Sequence, residues 1–179
     1  MKKSIIILIG LFNILFVFGQ VESRLFPNND ALSKISIAKD ISRSSKIQKW
    51  PSFNKQILLD EDAVNEGLDI PFRFGKGFDT DITLSDGNWT KVGNGRLWSM
   101  EFESEGAYSI NFVFNDFYLP EGAELYITNK EETMLYGPVT SEQNTKDGFF
   151  LTDLIQGDDV IIYLFEPADK QGLAKITIK

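Results

Sequence analysis

The sequence predicts an all-β protein, an antiparallel β-sandwich or jelly-roll-like domain, and three observations carry that prediction. From about Asp79 onward, apolar residues recur at every second position in short runs, which is the period of a half-buried strand. Gly, Pro, Asn and Asp punctuate those runs at near-regular intervals, as they do in sandwiches and barrels. No convincing helical stripe lies between the runs.

Taken in order, the first run is Trp98, Met100 and Phe102 alternating with Ser99, Glu101 and Glu103. It predicts a strand with one apolar face, and with Glu101, Glu103 and then Glu105 on a solvated side. Tyr108, Ile110, Phe112 and Phe114 repeat the pattern after the Glu105-Gly106-Ala107 turn. Leu119-Pro120-Glu121-Gly122 reads as a turn with Pro second and Gly where φ must be positive, and Glu124 to Ile127 resumes the strand. Met134-Leu135-Tyr136 follows, and Asp147-Gly148 is a hairpin signal ahead of Phe149-Phe150-Leu151. Residues 160–165, Val-Ile-Ile-Tyr-Leu-Phe, are apolar without interruption, which predicts a central strand covered on both faces. Leu173 to Ile178 forms the last strand. Seven or eight strands are expected, and the 15 Phe supply a core with no polar atom to satisfy.

The N-terminal part divides in two. Lys2 and Lys3 precede an apolar run from Ile5 to Phe18, too short for the roughly 20 residues that span a bilayer. With Val17 and Gly19 at small-residue positions, 1–19 reads as a signal peptide with Gln20 as the mature N-terminus. The expected location is therefore secreted, extracellular or periplasmic, with no membrane attachment after cleavage. Residues 20–50 read as a basic, loosely ordered arm, because Leu32, Ile35, Ile37, Ile41 and Ile47 make only a weak stripe. Residues 51–179 read as the acidic β-sandwich domain.

Composition limits the chemistry. The chain has 0 His and 0 Cys, so Ser-His-Asp and Cys-His nucleophile systems cannot be assembled from it, nor can Cys/His zinc sites or disulfides. Carboxylate, Lys or Tyr chemistry and an oxygen-ligated calcium site remain open. Charge is uneven: residues 20–50 carry 6 basic and 3 acidic side chains, and residues 51–179 carry 10 and 23. An acidic body repels nucleic acid and anionic lipid, so neither is expected as a partner. A Lys-rich one suits it better.

Several short pieces, taken together, resemble one family. They are Gly87-Asn88-Trp89, Gly95-Arg96-Leu97-Trp98, Glu105-Gly106-Ala107, Phe114 with Phe117, and Leu119 to Ile127. Tyr136 to Thr140, Gly148 to Thr152, Gly157 to Ile162 and Glu166-Pro167 continue the series in order. From Pro71 to Pro167 the chain resembles the N-terminal pro-region of secreted bacterial lysyl endopeptidases, which are trypsin-like serine proteases. The resemblance implies a non-catalytic domain that assists folding, masking or export of a protease domain, acting in cis or in trans. Where such sequences tend to show Glu in the final apolar run, this one has Tyr163. The family's protease domain would follow beyond Lys179, so no catalytic residue is carried over. The chain reads either as a fragment of a longer reading frame or as a stand-alone copy. The alternative function is an independent adhesion or carbohydrate-binding module.

Individual residues sharpen these readings. Lys46, Lys49 and Lys55, with Trp50, are the candidate partner-docking residues, since a Lys-bearing arm suits a protease pocket that accepts Lys. Trp89 and Tyr118 lie beside turns and are the candidate exposed aromatics for stacking on sugar rings. Trp98 alternates into the core. Asp158-Asp159 reads as a turn, where Asp bonds its own backbone, and Asp79 with Asp81 as a solvated strand entrance. Asn88-Trp89-Thr90 has the N-glycosylation pattern. No catalytic residue, metal ligand or cofactor is assigned.

Overall fold

The computed structural model describes residues 21–25, 46–71 and 73–179. The expected signal peptide 1–19 and residues 26–45 of the arm lie outside the described residues. Chain order gives β1 (Ser23–Leu25), β2 (Lys46–Lys49), α1 (Lys55–Asn65), β3 (Ile82–Thr83), β4 (Asn88–Val92) and β5 (Gly95–Glu103). Then come β6 (Ser109–Ile110), β7 (Val113–Tyr118), β8 (Glu124–Asn129), β9 (Met134–Val139), β10 (Phe150–Leu151) and β11 (Ile155–Gln156). β12 (Asp159–Pro167) and β13 (Lys175–Ile178) complete the strands, with 3-10 turns at Ser141–Gln143 and Ala168–Lys170.

The fold is all-β and sandwich-like, as expected. A seven-stranded sheet runs β1-β9-β8-β12-β5-β2, with β4 also on β5. A four-stranded sheet runs β10-β7-β13-β3, and β11 pairs with β6. The apolar run 160–165 lies in β12, paired antiparallel to β5 on one side and β8 on the other. Val160, Ile162 and Leu164 enter the main core, whereas Ile161 and Tyr163 join Leu97, Tyr126 and Leu135 on the opposite face. Trp98, Met100 and Phe102 meet Phe114, Phe117, Ile176 and Ile178 of the smaller sheet inside that main core. A file of rings links them: Phe102 meets Phe112 edge-on at 4.9 Å, and Phe117 stacks on Phe150 at 4.7 Å. Each fully buried side chain of this size contributes about 1.5–3 kcal/mol.

The structure corrects several expectations. Thirteen strands stand among the described residues rather than seven or eight, because five of them are two or three residues long and too short to display a period. β2 pairs with β5 in parallel. Residues 23–25 and 46–49 of the arm are not loose, since they form ladders with β9 and β5. The break placed after residue 50 is bridged as well, with Trp50 N donating to Glu103 O at 3.0 Å.

A helix, α1, stands where none was expected. Asn54 caps it, its Oδ1 accepting from Gln56 N at 3.0 Å. Its half-buried stripe is Leu58, Asp62 and Asn65, only one of which is apolar, so no hydrophobic period marks it. In the Pro120 turn, Ala123 N donates to Pro120 O, which puts Gly122 (φ 83°) third and Pro first. Asp147-Gly148 does turn the chain, but it leads into β10, which pairs with β7 rather than with a preceding hairpin partner.

The solvated face assigned to β5 is the largest correction. Ser99 is 0% and Glu101 6% exposed, so β5 is covered on both sides along most of its length. Glu103 is half-buried, and only Glu105 is exposed.

Candidate functional site

Two features gather polar or reactive side chains: a cleft beside α1, and a buried carboxylate–lysine cluster on the large sheet. The cleft starts from β2, whose pairing with β5 delivers Trp50 onto Phe102 at 5.7 Å and Phe78 at 5.9 Å. Pro51 then diverts the chain into the Asn54 cap, and α1 runs along one wall. The returning segment 73–79, an Arg-Phe-Gly-Lys-Gly-Phe-Asp run, closes the far side. Between these and residues 104–113 lies a cleft of about 720 Å³, within the range of ligand sites.

Its floor is the core itself, with Ile110, Phe112 and Ile178 all buried, and Leu58 and Leu59 of α1 stand over it. Phe74 (79% exposed) and Tyr108 (74% exposed) rise at the rim. Four cations surround this apolar lining. Lys55 Nζ lies 4.4 Å from the centroid of Tyr108, and Lys76 Nζ lies 5.8 Å from that of Phe78, distances at which a ring face attracts a cation. Arg73 holds Glu61 at 2.8 Å and Asp62 at 3.2 Å, and Lys179 pairs with Asp81. Trp50 Nε1 is buried in the wall without a hydrogen-bond partner among the described residues. A smaller cleft of about 410 Å³ shares Trp50 and Phe78 and is lined by Asp79, Asp81 and Asp86. Thr83 donates to Asp86 from both N and Oγ1, at 2.8 and 2.9 Å, which holds that carboxyl below its ordinary range. No group of three potential metal ligands forms among the described residues.

The second feature joins β5, β12 and the β8–β9 turn. Lys130 Nζ reaches Glu101 Oε1 at 2.9 Å and Asp159 Oδ2 at 2.5 Å. Burial pushes the Asp159 carboxyl above its ordinary range, and the two carboxylates raise the Lys130 ammonium. Asp159 Oδ1 has no hydrogen-bond partner among the described residues. Asp159 is thus a buried ion-pair member, not the turn residue that Gly157-Asp158-Asp159 suggested, whereas Asp158 does serve the turn, accepting from Gly106 N at 3.0 Å. The Glu101–Asp159 pair shares one amine and lines neither cleft. Glycoside hydrolysis needs two carboxyl groups flanking a sugar, and this arrangement has no room for one.

The sequence candidates are dispersed. Trp50 and Lys55 line the large cleft. Lys49 lies at the end of β2 opposite Glu103 and is bound to it at 2.6 Å, and Lys46 is exposed on β2. Trp89 is not an exposed platform: it is half-buried, donates Nε1 to Leu84 O at 3.2 Å, and carries the Arg96 guanidinium at 3.8 Å. Tyr118 is 45% exposed on β7. Trp98 is core, as expected, with Nε1 donating to Leu84 O at 3.0 Å. Phe53, Phe74, Phe78, Tyr108, Arg73 and Lys76 went unrecognised as site residues, and no periodic or spacing signal in the sequence joins them.

No family model matches the chain, and no solved structure matches it. Among the described residues, no helix is long and apolar enough to cross a membrane.

Proposed function

We propose that this chain is a secreted, non-catalytic β-sandwich domain that binds a polypeptide partner, and that the partner is a lysyl-endopeptidase-like serine protease domain whose folding, masking or export it assists. The observation that carries the binding reading is the cleft beside α1, an apolar floor with exposed rings and cations at its rim. The buried acids are committed elsewhere: Glu101 and Asp159 to Lys130, and Glu166 to Arg96. The protease reading draws on the ordered pieces between Pro71 and Pro167, and secretion on Lys2, Lys3 and the apolar run after them.

Assisted refolding tests this. A denatured lysyl-endopeptidase-type protease domain is diluted into buffer with or without residues 20–179, and recovered activity is measured. A stoichiometric increase in yield, or saturable inhibition of the native protease, supports the proposal. No effect on either, together with tight binding to a polysaccharide, favours the adhesion or carbohydrate-binding alternative, for which Tyr118 is the exposed aromatic on β7.

A further inference from the structure

The cleft has a feature that a purely apolar pocket would lack: one of its walls is a strand edge that has no partner among the described residues. Even-numbered residues of the 108–112 stretch turn their backbone groups toward β11 and Thr152. Gly157 N donates to Tyr108 O at 2.9 Å, Ile110 is opposite Ile155, and Thr152 N donates to Phe112 O at 3.1 Å while its Oγ1 accepts from Phe112 N. Successive residues of a strand direct their backbone groups to opposite sides, so Ser109 and Asn111 face the other way. On that other side β13 ends its ladder, with Lys179 N on Val113 O at 2.9 Å. Among the described residues β6 pairs with β11 and with no other strand. Residues 108–113 all line the cleft, next to Ile178 and Lys179. The slot continues the line of β13.

We propose that this slot accepts one further β-strand, an extended polypeptide segment alternating aliphatic with acidic side chains, laid beside Ser109–Asn111. Strand addition of this kind takes affinity from main-chain hydrogen bonds and specificity from pockets for alternate side chains. Ser109 and Asn111 supply two N–H and two C=O groups. Ile110 and Phe112 below, and Leu58 and Leu59 of α1 above, receive the aliphatic side chains. The acidic preference comes from the rim. Lys55, Arg73, Lys76 and Lys179 stand there against Asp62 and Asp79, in a chain whose net charge is −8. Among the described residues Lys55 and Lys76 are in no ion pair and rest on rings instead, so an incoming carboxylate displaces no internal partner. The inference rests on the polypeptide-binding reading of the cleft and does not require the partner to be a protease.

The test uses residues 20–179 and three capped hexapeptide probes: alternating Glu/Val, alternating Lys/Val, and Glu/Val N-methylated at every residue. Intrinsic tryptophan fluorescence, to which Trp50 in the cleft wall contributes beside Trp89 and Trp98, reports binding, and amide hydrogen exchange reports Ser109 and Asn111. The Glu/Val peptide should saturate and slow exchange at both amides, with the Lys/Val peptide about tenfold weaker or more. N-methylation should abolish binding, because it removes donors while keeping the side chains. The double variant Lys55→Glu, Lys76→Glu should weaken the Glu/Val peptide about tenfold, and Lys170→Glu, away from the cleft, should leave it unchanged. The proposal is overturned if the Glu/Val peptide does not saturate, if Ser109 and Asn111 exchange as before, or if the N-methylated peptide binds equally well. A protease domain that binds without competition from the Glu/Val peptide also overturns it, while leaving the proposed function standing.

Discussion

Arg96 and Glu166 face each other across β5 and β12, and the carboxylate is entirely buried. Arg96 Nε and Nη2 both donate to Glu166 Oε2, at 2.8 and 2.6 Å. Gly172 N donates to the same oxygen at 3.0 Å, and Ala174 N donates to Oε1 at 2.9 Å. One acid therefore ties the sheet to the connection leading into β13, and Arg96 is held flat by Trp89 on its other side. Removing one partner of a buried pair strands the other charge, which costs about 3–5 kcal/mol. Arg96→Met should lose about that much in denaturant melts, and Glu166→Gln should be destabilised as well, since its one amide oxygen replaces only one of the two acceptor oxygens and its NH2 is left facing a donor. Equal stability of wild type and Arg96→Met would contradict this.

The core predicts a contrast. Phe112 and Ile162 are 2% and 0% exposed, so replacing either with Ala should cost about 2–5 kcal/mol through lost burial and a residual cavity. Glu103→Ala removes only the Lys49 ion pair at the sheet margin, and exposed pairs are worth about 0–1 kcal/mol. Chemical denaturation of the three variants checks the order, and a costlier Glu103→Ala would place the strand one residue out of register.

Gly95 is opposite Pro167 at the end of the same strand pair. A Cβ there would meet Glu166 O at 2.4 Å and the Phe165 ring at 2.7 Å. Gly95→Ala should therefore destabilise by about 1–3 kcal/mol as an overpacking change. A thermal melt of this variant reads the effect, and an unshifted midpoint would refute the close approach.

The Lys130 cluster predicts a pH dependence of the same sign in two separate windows, one for the carboxyl and one for the ammonium. The Asp159 carboxyl is raised by burial, so its ionised form is the one folding disfavours. That contribution favours the fold as pH falls through the raised pKa, and is complete below the ordinary 3.8. Lys130 is raised by Asp159 and Glu101, so its contribution is complete below the ordinary 10.5 and lost as pH rises through the folded value. Lys130→Met leaves two buried carboxylates facing each other. Its destabilisation should be larger at pH 7 than in mild acid, where one of them takes up a proton. Urea melts of this variant at pH 7 and in mild acid measure it, and an identical loss at both would contradict the coupling.

What was legible in the sequence follows from which patterns have a single structural meaning. The uninterrupted apolar run at 160–165 has one, and it became the central strand β12. Trp98, Met100 and Phe102 alternate because they face the second sheet, and that also held. Ser99 and Glu101 misled because a polar side chain on an alternating strand ordinarily means water, whereas here they lie on a covered face, with Glu101 paired to Lys130. α1 was invisible because its inner stripe is Leu58, Asp62 and Asn65. Trp89 was misjudged because its cover, Arg96, comes from the neighbouring strand. The cleft drew on Phe74, Lys76 and Phe78 from a segment without periodicity, so only three-dimensional proximity to Tyr108 gave those residues a common role.

The non-catalytic reading is tested most directly by assaying repurified residues 20–179 for hydrolysis of peptide, ester and glycosidic substrates. The account predicts no turnover, because the chain contains no imidazole or thiol and its buried acids are held by Lys130 and Arg96. Turnover that persists through repurification, and disappears in the Glu101→Gln, Asp159→Asn double variant while the fold is retained, would contradict it.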